Sequence, residues 1–161
     1  MGSQLRGVVH GGIVVTGDLN AVGIWFYAYN TQRYLYLMRN DPKHPFHWGL
    51  PGGKVEENET LLDTITREYS EEMGSMPNYI KLVPIERFTG PNNHFIYHTF
   101  FCLVADEFIP KLNNEHLGYS WIDKGVIPKP LHPGLWATIN IEDIYNKIVT
   151  VENLYSYEIS Q

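Results

Sequence analysis

Residues Gly52–Ser75 read GGKVEENETLLDTITREYSEEMGS, and the rest of the chain can be read outward from them. The stretch opens on two glycines, crosses a short acidic loop and enters a segment with helical periodicity. At about 100° per residue, with Leu61 at zero, Leu61, Leu62, Ile65, Tyr69 and Met73 fall in an arc of roughly 0–120°. On the same wheel Glu71, Glu68 and Glu72 fall at roughly 280°, 340° and 20°. The spacing predicts an amphipathic helix from Thr60 to Met73, with Asn58 or Thr60 capping its start and Gly74 its end. The three carboxylates then form one stripe, and Glu72 reaches the edge of the buried face.

That stripe is costly. Like charges at i, i+3 and i+4 repel one another, and a carboxylate at a buried edge loses hydration unless something pairs with it. A hard divalent cation offsets both costs. Mg²⁺ takes oxygen ligands and is held by a few carboxylates together with substrate phosphates. The plainer alternative is a solvated acidic face with one arginine among its glutamates. Pro51-Gly52-Gly53 weighs against it, because glycine backbone can approach a ligand closely or present a carbonyl to a metal.

The spacing resembles the Nudix box: Gly, five residues, Glu, seven residues, Arg-Glu, an apolar residue, any residue, Glu-Glu, any residue, Gly, an apolar residue. Here it reads Gly53, Glu59, Arg67-Glu68, Tyr69, Glu71-Glu72, Gly74, so every fixed position matches. Tyr69 is larger than the usual aliphatic, and Ser75 is polar where an apolar residue is usual. The flanking WGLPGGKVE, from Trp48 to Glu56, is similar to the family as well. The resemblance implies an α/β fold, the Nudix α/β/α sandwich with a mixed β-sheet. It also implies a pyrophosphohydrolase acting on phosphorus-containing anhydrides.

Length and composition bound the remaining possibilities. At 161 residues, 43% hydrophobic and 19% charged, the chain reads as a single globular domain over 1–161. A formal net charge of −6 argues against a nucleic-acid or membrane surface, which needs a basic patch. It is compatible with a small nucleotide substrate if metal ions screen the carboxylates. The single cysteine, Cys102, lies in an apolar run and reads as a buried hydrophobe; it suits a reducing, cytoplasmic location. No secretory leader or membrane span is evident in the residues. A homodimer is left open.

Along the chain, Gly7–Val15 reads as one strand with a glycine irregularity, and Thr16–Asn20 as a turn. Val22–Tyr29 and Arg33–Met38 read as strands joined at Asn30-Thr31-Gln32, and Arg39–Pro45 as a loop. Beyond the helix, Ile80–Thr89 and Asn93–Val104 read as long strands, the second central because it is apolar on both faces. Asp106–Gly118 is a polar connection and Tyr119–Ile122 a short strand. Lys124–Pro133 is a proline-rich loop, and Ile141–Val149 a C-terminal helix.

The site residues come from the resemblance. It implies Glu71 and Glu72 as the principal metal pair, Glu68 as a third ligand or general base, and the Gly52 carbonyl as a backbone ligand. It implies Arg67 as the residue that orients the glutamates, and Glu59 as a structural acid paired with it. Asn113-Asn114-Glu115-His116, followed by Tyr119-Ser120-Trp121-Ile122, resembles a downstream element of several members. On that basis Glu115 is a further metal ligand or base, the alternative being an exposed loop glutamate, and His116 is structural. The expected catalytic set is Glu68, Glu72, Arg67 and Glu115; the expected cofactor is Mg²⁺ or Mn²⁺. Phe46 and Trp48, in a loop beside the glycines, are candidates to stack on a base, and Arg39 to contact phosphate; core aromatics and a surface arginine are the alternatives. ADP-ribose-like compounds and nucleoside triphosphates both fit. A non-catalytic nucleotide sensor is the competing class, and sensors of this fold commonly lose box glutamates that this chain keeps.

Overall fold

The computed structural model describes residues 6–10, 13–17, 19–91 and 94–160. Strands β1 (Arg6–His10) and β2 (Ile13–Gly17) form a separate antiparallel pair. The main sheet holds β3 (Leu19–Ala28), β4 (Arg33–Arg39), β5 (Trp48–Gly49), β6 (Gly52–Lys54), β7 (Lys81–Thr89), β8 (Phe95–Val104) and β9 (His116–Asp123). Three helices complete the described residues: α1 (Leu61–Met73), α2 (Pro133–Ile139) and α3 (Glu142–Ser160). None is long and apolar enough to cross a membrane.

The sheet runs β5-β4-β3-β8-β7, with β6 added on β3 and β9 on β4. β3 and β8 pair in parallel along their whole length, from Leu19↔Phe95 to Ala28↔Val104, and the remaining ladders are antiparallel. This mixed sheet separates two cores. Val22, Ile24, Phe26, Leu35, Leu37 and Cys102 pack under Leu61, Ile65, Tyr69 and Met73 of α1. On the opposite face Trp25, Tyr27, Tyr34, Phe101 and Leu103 pack against Leu135 of α2 and Ile148 and Val151 of α3. The result is an α/β/α sandwich, as the resemblance implies. Both faces of β3 and β8 are covered, so these central strands read as near-continuous apolar runs.

One detail of the sheet positions the site. β3 changes partner along its length, pairing with β4 at Tyr27 and Ala28 and with β6 at Ala21–Gly23. Between the two ladders, the Ile24 N–H bonds the Pro51 carbonyl at 2.9 Å. The sheet therefore forks beside Pro51-Gly52, and groups from its two faces can meet there.

Several expectations are corrected. Gly7–Val15 is two strands, closed by His10↔Ile13; Gly11 and Gly12 lie outside the described residues, but a Gly-Gly pair between β-branched runs is a hairpin signal. Of the turn expected over Thr16–Asn20, Thr16 and Gly17 belong to β2 and Leu19 and Asn20 to β3, while Asp18 lies outside the described residues. Leu62, placed in the buried arc, is 49% exposed; it sits on the margin of that arc in the first turn, beyond the reach of the sheet. Helix α2 lies where a proline-rich loop gave way to unassigned sequence: Pro133 occupies its first turn, where the missing N–H costs nothing. Helix α3 continues past Val149 to Ser160, and β9 begins at His116 rather than Tyr119.

Candidate active site

Helix α1 starts with a reciprocal cap. The Asp63 N–H donates to Thr60 Oγ1 and the Thr60 N–H to Asp63 Oδ2, both at 3.0 Å. Its buried face fixes the rotation about the helix axis, so Glu68 and Glu72 point at the glycine strand β6. The contact is close enough to exclude side chains. A Cβ on Gly53 would lie 2.3 Å from Glu68 Cδ, and one on Gly52 would lie 2.0 Å from the Val22 carbonyl oxygen. The two glycines are required by close approach.

Arg67 organises one half of the acidic stripe. Its Nε and Nη2 hold Glu59 in a fork at 2.8 and 2.9 Å, and Nη1 donates to Glu68 Oε1 at 2.8 Å and to Glu71 Oε2 at 3.3 Å. Nη2 also donates to the Lys54 carbonyl at 2.8 Å. Glu59 in turn accepts from the Glu56 N–H and the Thr64 hydroxyl. The Arg67 guanidinium holds the Glu59 carboxyl below its ordinary range, as a bidentate pair should. Glu68 goes the other way: burial raises its pKa, and Arg67 only partly opposes this.

The other half of the stripe is built differently. Glu72 is 3% exposed. Its Oε2 accepts from the Gly52 N–H at 3.3 Å. Burial pushes its pKa up to about 9, with Glu115 and Glu68 adding to the rise and the Gly52 N–H and Arg39 opposing it. Arg39 is itself paired with Asp41 at 2.6 Å. Glu115 is brought in by the C-terminus of α1. The Asn113 N–H donates to the Glu72 carbonyl, the Asn113 amide to the Glu71 carbonyl, and the Lys111 N–H to the Met73 carbonyl. These bonds satisfy carbonyls that the helix leaves unpaired. Asn113 Oδ1 then accepts from the Glu115 N–H at 2.9 Å, turning the chain back toward Glu72.

Among the described residues, ligand atoms of Glu72, Glu115 and His116 lie within 4.8 Å of one another. Two ionised carboxylates at such a distance repel by about 3 kcal/mol at an effective dielectric of about 20. His116 Nδ1 is buried without a hydrogen-bond partner among the described residues. Burial, and then Arg39, lower the His116 pKa to about 4, so its ring is neutral near pH 7. Two carboxylates and an unpartnered neutral imidazole nitrogen form a donor set that suits a divalent cation.

A cleft of about 330 Å³ opens on the opposite face of the sheet, between β7, β8 and α2. Arg39 and His132 stand in its lining, with Phe88, Phe95 and Tyr97 on the strand side. Tyr97 connects the cleft to the carboxylates. A Cβ on Gly23 would lie 2.2 Å from the Tyr97 hydroxyl oxygen, and Gly23 pairs with Gly52. Of the residues expected to touch substrate, Arg39 lines this cleft. Phe46, 63% exposed, and Trp48, packed on the second core, do not. Phe88, Phe95 and Tyr97, aromatics that the sequence allows either to stack on a base or to pack in the core, line this cleft, and so does His132 of the proline-rich segment; Glu86 was not singled out from sequence. His116, read as structural, stands in the cluster with Glu72 and Glu115.

The NUDIX domain family matches residues 18–139, most of the chain. The chain belongs to this family. A Mycobacterium tuberculosis protein with the provisional name 8-oxo-dGTP diphosphatase 3 is 31% identical over 96 residues, which cover 56% of this chain and 44% of that protein. The nucleoside triphosphatase NudI of Escherichia coli is 30% identical over 89 residues, covering 48% of this chain and 62% of the relative. The NUDIX chain thus spans less than two thirds of the length of these relatives. Among solved structures, the Nudix hydrolase RenU of M. smegmatis superposes with a TM-score of 0.64 at 22% identity, covering 90% of this chain and 94% of the other. That likeness shows the fold.

Proposed function

We propose that this chain hydrolyses a pyrophosphate bond in a nucleoside diphosphate derivative, and that nucleoside triphosphates are its substrates. The observation that carries the reading is Glu72: a carboxylate 3% exposed, beside Glu115 and His116, whose neighbouring arginine is already paired with Asp41. A buried negative charge left in that state is costly unless a cation joins it. The names of the M. tuberculosis and E. coli relatives, a diphosphatase and a triphosphatase, favour triphosphates over ADP-ribose-like compounds.

Glu72, Glu115 and His116 would hold the divalent ion, Mg²⁺ or Mn²⁺, with Glu71 and the Gly52 carbonyl completing the set as the resemblance implies. When bound, the ion neutralises the diphosphate and makes water a better nucleophile. The chain's own residues do the rest. Arg67 fixes Glu59, Glu68 and Glu71 in one geometry. Glu68, whose affinity for a proton is raised by burial, would take the proton of the attacking water. Arg39, which lines the cleft and whose charge reaches Glu72, would contact a phosphate of the substrate.

The test is product release with Mg²⁺ over a panel of nucleoside triphosphates, ADP-ribose, NADH, dinucleoside polyphosphates and nucleotide sugars, with Glu72→Gln as control. The expected result is preferred hydrolysis of a triphosphate, silent in the variant. Turnover of every substrate at the same rate in Glu72→Gln would overturn the assignment.

A further inference from the structure

The register of the edge strand β7 decides what the cleft can recognise. Its ladder to β8 shifts between Pro84 and Glu86: Pro84 pairs with Phe100, Glu86 with Thr99, and Ile85 is the extra residue. Proline donates no ladder hydrogen bond and is tolerated at such an edge. Without the bulge, alternation would send Glu86 and Phe88 to the α1 face with Phe100. With it, they lie opposite Thr99 and Tyr97 on the cleft face. A bulge that re-aims a side chain into a cavity is a recurrent device beside binding sites.

The cleft that results has flat, apolar walls and an acidic acceptor. The rings of Phe95 and Tyr97 stand 6.2 Å apart and inclined by 30°. Phe88 flanks them, and Leu135 and Ile141 lie on the helix side. Glu86 is fixed on one side only, by the Thr138 hydroxyl donating to its Oε1 at 3.0 Å. No hydrogen bond reaches Oε2 from the described residues. His132 Nδ1 accepts from the Gly134 N–H at 3.1 Å, which leaves the ring proton on Nε2. The inner end of the cleft borders Gly23 and Gly52, and thus the carboxylates.

We propose that this cleft holds the substrate's base and that Glu86 determines its identity, selecting a base that presents two adjacent N–H donors, which is the guanine edge. The inference rests on the nucleotide reading of the site. An ionised carboxylate accepts hydrogen bonds and donates none. Guanine and its derivatives offer a ring N–H beside an exocyclic amine, so both oxygens can be engaged. Adenine and cytosine offer one donor beside an acceptor, which leaves one carboxylate oxygen facing a lone pair. Uracil and thymine place a carbonyl on each side of one N–H. A well-placed bidentate pair discriminates against the wrong base by about 1–3 kcal/mol, or roughly 10- to 100-fold, and a polar group left unpaired in the site adds to the rejection.

The experiment measures kcat and KM for GTP, ATP, CTP and UTP with Mg²⁺. It also measures the binding of GMP, AMP and UMP by titration calorimetry, which needs no turnover. Wild type, Glu86→Gln and Glu86→Ala are compared. The wild type is expected to favour guanine over uracil by at least about tenfold, mainly through KM. Glu86→Gln presents one acceptor beside one donor, and so is expected to move the preference toward adenine or cytosine. A merely structural glutamate would not produce that switch. Glu86→Ala is expected to flatten the preference. Equal handling of all bases by the wild type, or a guanine preference kept in both variants, overturns the proposal. Guanine-selective binding of the monophosphates without hydrolysis supports the cleft assignment while the catalytic reading fails. Hydrolysis without base selectivity does the reverse.

Discussion

At one end of the acidic stripe on α1, Arg67 donates to Glu59, Glu68, Glu71 and the Lys54 carbonyl. At the other end Glu72 is more deeply buried, accepts one long bond from Gly52, and faces a second carboxylate across a few ångströms. Both ends carry the same residue type on the same helix. They differ in whether the chain supplies the counter-charge. Where the pairing is complete the acid is scaffold: Glu59, in the loop before α1, is held ionised in the Arg67 fork and ties that loop to the helix. Where it is not, the acid is placed to bind. The contrast turns a run of glutamates into two functions, and it can be broken from either side.

The largest expected effect is on Glu72. Glu72→Gln should lower kcat by at least about two orders of magnitude, close to 3 kcal/mol of barrier. In the absence of metal it should leave the thermal midpoint unchanged or higher, because glutamine enters the buried position without the proton that Glu72 must take up on folding. Steady-state kinetics and a melting curve on the same sample measure both. Arg67→Ala should behave in the opposite way. It strands Glu59 and Glu68, and should destabilise the fold by roughly 2–4 kcal/mol, read from denaturant midpoints. An Arg67 variant as stable as wild type would erase the distinction between the two ends. Glu115 is exposed and reaches the cluster from a loop, so Glu115→Gln should cost less, about tenfold in kcat. An unchanged rate would remove it from the site.

The finest test is pH. In metal-free protein the Glu72 carboxyl is raised from 4.5 to about 9 on folding. Between those values the native state binds the extra proton, so this group's contribution to stability is full below pH 4.5 and is lost as pH rises toward 9. Urea midpoints in chelator should therefore show a downward slope over this window that is absent in Glu72→Gln. Saturating Mg²⁺ should flatten it, since the ion keeps the native carboxylate ionised across this window as it is in the unfolded chain.

The Arg67 end was the more legible of the two. Helical spacing placed the carboxylates in one stripe, and the family pattern paired Arg67 with Glu59. Capping chemistry offered Thr60 as the start of the helix. These depend on neighbours close in sequence. Glu115 came through a local resemblance, but the reason it reaches Glu72 is tertiary: Asn113 caps the end of α1 and then bonds the Glu115 N–H. His116 was read as structural because nothing local shows that β9 delivers it to the same point. The cleft was least legible. Phe88 and Tyr97 look like core aromatics in sequence, and a single bulge at Pro84 decides which face Glu86 occupies. Alternation alone would have placed Glu86 on the wrong side. Helix α2 escaped notice because it is short and begins at a proline after a proline-rich run.

The account stands most directly on whether the uncompensated end binds a divalent cation. Mn²⁺ titration followed by electron paramagnetic resonance, on wild type, Glu72→Gln and the exposed loop variant Glu57→Gln, measures this without substrate. Saturable binding in wild type and Glu57→Gln, weakened at least about tenfold in Glu72→Gln, is the predicted result. Equal Mn²⁺ affinity in wild type and Glu72→Gln would contradict it.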